Sequence, residues 1–146
     1  MTRSIRQILL VDDSLQDTQL TQVALSACSQ GFTIVTARDG AEALDYLYQR
    51  GKFEGLAHDP PVFVLLDLKM PGLDGFDVLR IAKQDENLRR VPIIVFTSSQ
   101  HNVDIESCYR LGANAFVMKP VAFDELAKTM EAICGFWLRT NLGHTL

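Results

Sequence analysis

Five short runs of large apolar residues recur along the chain: Ile8–Val11, Phe32–Ala37, Val62–Leu68, Pro92–Thr97 and Asn114–Lys119. Each is rich in β-branched or aromatic residues and has the length of a strand. Three of them are nearly continuous in apolarity, the pattern of strands covered on both faces. Between them the period changes from strand-like to helical. Leu20, Val23, Ala24 and Ala27 fall at i, i+3, i+4 and i+7, which predicts that face of a first helix to be the buried one. Ala43, Leu44, Leu47 and Tyr48 predict a second, opened by a capping box of Asp39 with Glu42. Asp74 caps a third, over 74–83. A fourth covers 103–113 and ends near Gly112. A fifth carries Phe123, Leu126, Ala127, Met130, Ile133, Cys134, Trp137 and Leu138 on one stripe.

Strict β–α alternation predicts an α/β fold: a doubly wound five-stranded parallel sheet with helices on both faces. The predicted domain runs over 6–140, with short tails at 1–5 and 141–146. One connection, 50–61, is long and polar and ends in Pro60 and Pro61. It reads as a tolerated surface insertion.

Composition narrows the class. The 146 residues are 47% hydrophobic and 22% charged, with a formal net charge of −4. That describes one globular domain, and the acidic balance argues against a nucleic-acid binder. Cys28, Cys108 and Cys134 are odd in number and form no C-x-x-C pair, so reduced core residues are expected. No apolar stretch suggests a leader or a membrane span, and a cytoplasmic protein without a membrane partner is the expectation.

In an open parallel sheet, ligands bind outside the carboxyl ends of the strands. At those ends stand Asp12 and Asp13 after the first run, Asp67 after the third, Thr97 after the fourth and Lys119 after the fifth. Adjacent acids after a strand are most often turn formers, and Ser14 or Asp13 suits a helix cap. Convergence at four strand ends changes that reading. Three carboxylates against one ammonium call for a counter-ion, and hard oxygen donors suit Mg²⁺. Asp67 is a candidate nucleophile for an aspartyl-phosphate, with Lys119 and Thr97 serving the phosphoryl oxygens.

The motifs "LLVDDS", "LLDLKMPGLDGF", "PIIVFTSS" and "GANAFVMKP" together resemble the receiver domains of two-component response regulators, the family of the chemotaxis regulator CheY. The resemblance spans about Ile8 to Leu138 and implies the strand order 2-1-3-4-5. It implies phosphorylation on Asp67, Mg²⁺ held by Asp12, Asp13, Asp67 and the backbone carbonyl of Lys69, and phosphoryl stabilisation by Thr97 and Lys119. It places the conformational switch at Thr97 and Phe116, acting on the surface of the fourth helix, fifth strand and fifth helix. Phe116 as a permanent core residue is the alternative. The long loop, "SCYRLGANAFVMKP" and "GFWLRT" are similar to the stand-alone regulators paired with phytochromes. A phytochrome-type sensor histidine kinase is then the expected phosphoryl donor, with an unknown downstream protein as target.

Phe136, Trp137 and Leu138 look like more apolar surface than one sheet face needs, which predicts a homodimer. Folding back onto the monomer's own core is the alternative. The fifth helix lacks a polar N-cap: Val121 and Ala122 stand where one is usual. No enzyme is expected beyond self-catalysed phosphotransfer and dephosphorylation. Flavodoxins share the sheet order, but "VDDS" would repel the phosphate their first loop cradles. Asp-nucleophile phosphatases carry D-x-D, and here Lys69 occupies the second acid's place. A phosphorylation-independent scaffold remains as the alternative function.

Overall fold

The computed structural model describes residues 6–55 and 59–143. The chain alternates β1 (Gln7–Val11), α1 (Leu15–Ser26), β2 (Thr33–Ala37), α2 (Gly40–Tyr48), β3 (Val64–Leu66), α3 (Gly75–Gln84), β4 (Ile93–Thr97), α4 (Asn102–Arg110), β5 (Ala115–Met118) and α5 (Phe123–Cys134). The strands form one parallel sheet in the order β2-β1-β3-β4-β5, as the resemblance implied.

Alternation along each strand explains the continuous apolar runs. Leu9, Val11, Val64, Leu66, Ile93 and Val95 enter one core layer, beneath α2, α3 and α4. Ile8, Leu10, Phe63, Leu65, Ile94 and Phe96 enter the other, beneath α1 and α5. A strand wedged between two helix layers has no polar face to spare. β3 is shorter than 62–68, but its pairing extends past both ends: Val62 N–H donates to Gln7 O at 2.8 Å and Asp67 N–H to Val11 O at 3.0 Å.

α1 departs from the expectation. It buries Thr18, Thr21, Ala24 and Leu25, and leaves Leu20 and Val23 exposed, together with Leu15. The reason is local. Asp12 Oδ1 accepts from Ser14 N–H at 2.9 Å, and Ser14 Oγ accepts from Asp17 N–H at 3.2 Å. This cap sets the helix phase immediately after β1, and the apolar periodicity does not override it.

At α2 half of the expected capping box exists. Asp39 accepts from Glu42 N–H at 2.8 Å, but the Glu42 carboxylate is drawn to Lys52 at 2.8 Å and Arg38 at 3.3 Å. Tyr46, rather than Tyr48, is the buried tyrosine, with Phe53 edge-on to it at 5.3 Å. Phe53 belongs to a short 3-10 turn, Gly51–Phe53, so the start of the long loop folds back onto α2. The stretch 56–58 of that loop, and the tail residues 1–5 and 144–146, lie outside the described residues. Asp74 and Asp77 form a complete capping box at α3. α5 has Ala122 at its N-cap and no side-chain cap, as expected.

α5 continues into a π-helical turn, Gly135–Thr140. Trp137 and Leu138 pack there against the α1/α5 core layer, and Phe136 stands 48% exposed. Of the three residues expected as surplus apolar surface, two are therefore used by the monomer's own core. Phe123, expected on the buried stripe, is 46% exposed. Among the described residues, no helix is long and apolar enough to cross a membrane.

Candidate functional site

The chain leaves β1 toward β2 at one edge and returns to β3 on the other side of β1. A crevice opens at such a reversal, outside the carboxyl ends of the two strands. Both exits carry acids. Asp12 and Asp67 are the first residues past their strands, and the ladder still holds their backbones: Asp12 N–H donates to Ala37 O and Asp67 N–H to Val11 O, each at 3.0 Å. Lys119 is held in the same way, its N–H donating to Thr97 O at 2.7 Å. The side chains therefore project from rigid strand ends rather than from free loops.

Carboxylate oxygens of Asp12, Asp13 and Asp67 come within 4.8 Å of one another. Asp12 is 4% exposed and Asp13 is exposed. The Lys119 ammonium is seated among acids, 2.6 Å from Asp12 Oδ2, 3.1 Å from Asp67 Oδ2 and 3.2 Å from Asp17 Oδ2. Burial works against that ammonium, but the hydrogen bond to Asp12 and the charges of Asp67 and Asp12 outweigh it and hold its pKa above the ordinary value. Burial lifts the Asp12 carboxyl above the ordinary range, against the hydrogen bonds from Lys119 and Ser14.

Sequence reasoning missed Asp17. It lies in the first turn of α1, three residues after the cap Ser14, a position from which a carboxylate can turn back over the helix N-terminus. The S-x-x-D spacing was the available signal. Asp17 does not close a capping box, because Asp12 already takes the Ser14 N–H and the Asp17 carboxylate goes to Lys119. Three carboxylates thus contact the seated ammonium, and Asp13 completes the acidic cluster with Asp12 and Asp67. Asp12, Asp13 and Asp67 offer hard oxygen donors, a donor set that fits a divalent cation such as Mg²⁺.

The other expected residues fall as follows. Asp67 Oδ1 accepts from Leu68 N–H at 2.8 Å, leaving Oδ2 toward Lys119. Lys69 is exposed just beyond. Thr97 is 2% exposed at the end of β4. Ser99 N–H donates to Thr97 Oγ1 at 3.5 Å, and the Ser99 hydroxyl donates to Asp104 Oδ2 at 2.5 Å. A polar relay therefore runs from the strand end into the first turn of α4. Phe116 pairs with Val95 across β4 and β5 and is half-buried against the core layer beneath α3 and α4. Phe136, Trp137 and Leu138 lie in the turn that follows α5, outside this cluster.

Gly40 and Gly75 hold the loop that follows Asp67. Gly75 N–H donates to Leu68 O at 2.9 Å and Gly40 N–H to Leu73 O at 3.0 Å. A Cβ on Gly75 would stand 2.3 Å from Asp67 O, and one on Gly40 2.3 Å from Leu73 O. Only glycine permits both approaches.

Comparison with known proteins agrees with this arrangement. The family model described as "Response regulator receiver domain" matches residues 8–131. The chain is 36% identical over 133 residues to response regulator Rcp1 of Synechocystis sp., covering 91% of this chain and 89% of that protein. The solved structure of the phosphorylated cyanobacterial phytochrome response regulator RcpA matches with a TM-score of 0.90 at 34% identity, over 97% of this chain and 100% of that one. The Mn(2+)-bound form of Rcp1 matches with a TM-score of 0.87 at 34% identity, over 96% and 99%. The acids gathered where the sheet reverses, the ammonium set among them and the family match across most of the sheet identify this chain as a member of the response regulator receiver domain family.

Proposed function

We propose that this protein is a single-domain response regulator, its receiver spanning 6–140, that takes a phosphoryl group onto Asp67 from the phosphohistidine of a sensor histidine kinase. The observation that carries the proposal is the placement of Lys119 Nζ 3.1 Å from Asp67 Oδ2 within the Asp12–Asp13–Asp67 cluster. Asp67 Oδ2 attacks phosphorus, an O–P bond forms, and the P–N bond to the donor imidazole breaks. The imidazole nitrogen keeps the electron pair and takes up a proton. Lys119 changes partners, from carboxylates to a phosphoryl oxygen. Asp12, Asp13, Asp67 and the Lys69 carbonyl would hold Mg²⁺, which would supply the positive charge that these carboxylates and the incoming phosphoryl group require.

Leu15, Leu20 and Val23 are exposed along α1, the helix that starts directly after Asp12 and Asp13, and suit kinase docking. A phytochrome-type kinase is the proposed donor, because RcpA is a cyanobacterial phytochrome response regulator. Thr97 is the proposed switch. Drawn toward the phosphoryl group, its hydroxyl loosens the relay through Ser99 to Asp104, and Phe116 follows inward from its half-buried position. The surface that changes is α4–β5–α5, where Val103, Tyr109, Met118 and Phe123 are exposed. A homodimer through this face, with Phe136 at its rim and an unidentified downstream protein as the alternative occupant, is the proposed output. The proposed compartment is the cytoplasm.

The test is transfer of labelled phosphoryl from a panel of autophosphorylated kinases, phytochromes included, in Mg²⁺ and in EDTA. Wild type takes up label only with Mg²⁺, and Asp67→Asn takes up none. Label on the Asn variant would overturn the assignment to Asp67, and none on wild type with any kinase would leave a phosphorylation-independent scaffold as the better reading.

A further inference from the structure

We infer that Cys28 and Cys134 form a two-electron redox pair, an intramolecular disulfide site that staples the end of α1 to the end of α5. The two sulfurs lie 2.8 Å apart. Cys28 follows α1 and Cys134 is the last residue of α5, two helices that pack against each other on one side of the sheet. A disulfide bond of about 2.05 Å requires each sulfur to move by less than ~1 Å. The fold itself supplies this proximity, for the two cysteines stand 106 positions apart in the sequence.

The surroundings support the chemistry. Cys134 is buried, and Cys28 is half-buried on the wall of an open groove of about 560 Å³ lined also by Phe32, Glu131, Leu138 and Arg139. A small oxidant reaches Cys28 through that groove. The Arg139 guanidinium donates to Cys28 O at 3.4 Å, and the Cys28 thiol, which donates to Cys134 Sγ at 2.8 Å, also lies 3.4 Å from Met130 O, so backbone from both ends of the pair fixes its position. Burial and the Cys28 hydrogen bond push the Cys134 thiol above its ordinary pKa. Cys28, the sulfur that reaches the groove, is the attacking one, and the buried Cys134 is the resolving one. Cys108, in the opposite core layer, is the internal control.

With hydrogen peroxide as oxidant, the Cys28 thiolate attacks one peroxide oxygen. The O–O bond breaks, hydroxide leaves, and Cys28 becomes a sulfenic acid. Cys134 then attacks the Cys28 sulfur, the S–S bond forms, and the sulfenic oxygen leaves as water with the proton of the Cys134 thiol. Two thiols lose two electrons and the peroxide becomes two waters. Dithiol reductants reverse the step by exchange. The bond joins the residue after the α1 C-cap to the last residue of α5 and restrains α5, an element of the proposed output face.

The test treats reduced protein with hydrogen peroxide and counts thiols after denaturation. Wild type carries three cysteines, and the expected titre falls to one, in a monomer whose mass drops by about 2 Da and recovers with dithiothreitol. Peptide mapping then finds Cys28 joined to Cys134. The oxidised form melts higher than the reduced form by on the order of 10 °C, as a cross-link closing a long loop requires. Cys28→Ala and Cys134→Ala each abolish that gain, and Cys108→Ala keeps it. Cys28→Ala suffices if the buried variant fails to fold. Three remaining thiols, oxygen additions without a cross-link, or disulfides only between molecules would each overturn the assignment.

Discussion

Gly75→Ala tests whether the backbone at Asp67, the proposed phosphoacceptor, is held by contact with α3. The added Cβ would stand 2.3 Å from Asp67 O, 2.8 Å from Leu68 Cα and 3.0 Å from Asp67 C. All three are backbone atoms, so no side chain can swing aside. Reaching an ordinary separation of about 3.5 Å requires roughly 1 Å of opening between α3 and the end of β3. That opening stretches the 2.9 Å bond from Gly75 N–H to Leu68 O beyond useful length. Overpacking of this kind costs about 1–3 kcal/mol, the lost hydrogen bond about 0.5–1.5 kcal/mol, and alanine's better helix propensity returns up to about 1 kcal/mol. A net loss of about 1–3 kcal/mol is expected by urea unfolding in EDTA. The displaced carbonyl belongs to Asp67 itself, so phosphoryl uptake falls as well, by at least about tenfold, since 1 Å of misplacement can cost about 100-fold. Gly40→Ala is the control. Its Cβ meets Leu73 O at the same 2.3 Å, farther along the loop, and it loses similar stability with uptake within about threefold of wild type. Unfolding of Gly75→Ala within about 0.5 kcal/mol of wild type, or equal uptake losses in both variants, would refute the reasoning.

Asp12→Asn stabilises the metal-free protein at neutral pH. The folded pKa of Asp12 is raised above 3.8, so the folded state binds more protons than the unfolded one in the window above 3.8 and loses stability as pH rises through it. The gain from Asn therefore fades as pH falls toward 3.8, and added Mg²⁺ stabilises wild type more than the variant; calorimetry in EDTA and in Mg²⁺ at several pH values reads both. Lys119→Met tightens Mg²⁺ binding by at least about tenfold, because 1.4 kcal/mol is well below the ~4 kcal/mol that two unit charges exchange at 4 Å in a surface-like dielectric. Unchanged or weaker binding by titration calorimetry would show that Lys119 does not compete with the metal. Ser99→Ala cuts the relay from Thr97 to Asp104, and increased amide exchange across 98–104 before phosphorylation is the expected reading. Asp74→Ala removes the half of the α3 capping box in which Asp74 Oδ1 accepts from Asp77 N–H, keeps the backbone N–H that donates to Asp77 Oδ2, and lowers stability by about 1 kcal/mol in urea.

Much of the site was legible because its residues are tied to strand ends, and strand ends are visible in an apolar run. Asp12, Asp67, Thr97 and Lys119 each sit where a run of large residues stops, and a parallel sheet delivers such positions to one edge. Asp17 was not legible in this way. It sits inside a helix, and its approach to Lys119 depends on the angle at which α1 leaves Ser14. The buried face of α1 was misread for the same reason. Leu20 and Val23 satisfy helical periodicity, but the cap turned them to solvent and brought Thr18 and Thr21 inward.

Local pattern by itself determined the alternation of elements, the doubly covered sheet and the acids, hydroxyl and ammonium at its carboxyl edge. These follow from chain-local rules of side-chain period and turn chemistry. Tertiary structure alone decided which neighbours those groups meet. It gave Lys119 a third carboxylate, assigned Trp137 and Leu138 to the monomer's own core, and brought the sulfurs of Cys28 and Cys134 to 2.8 Å. Such contacts depend on the relative orientation of packed helices, which is set by the shape of both core layers and not by any one segment.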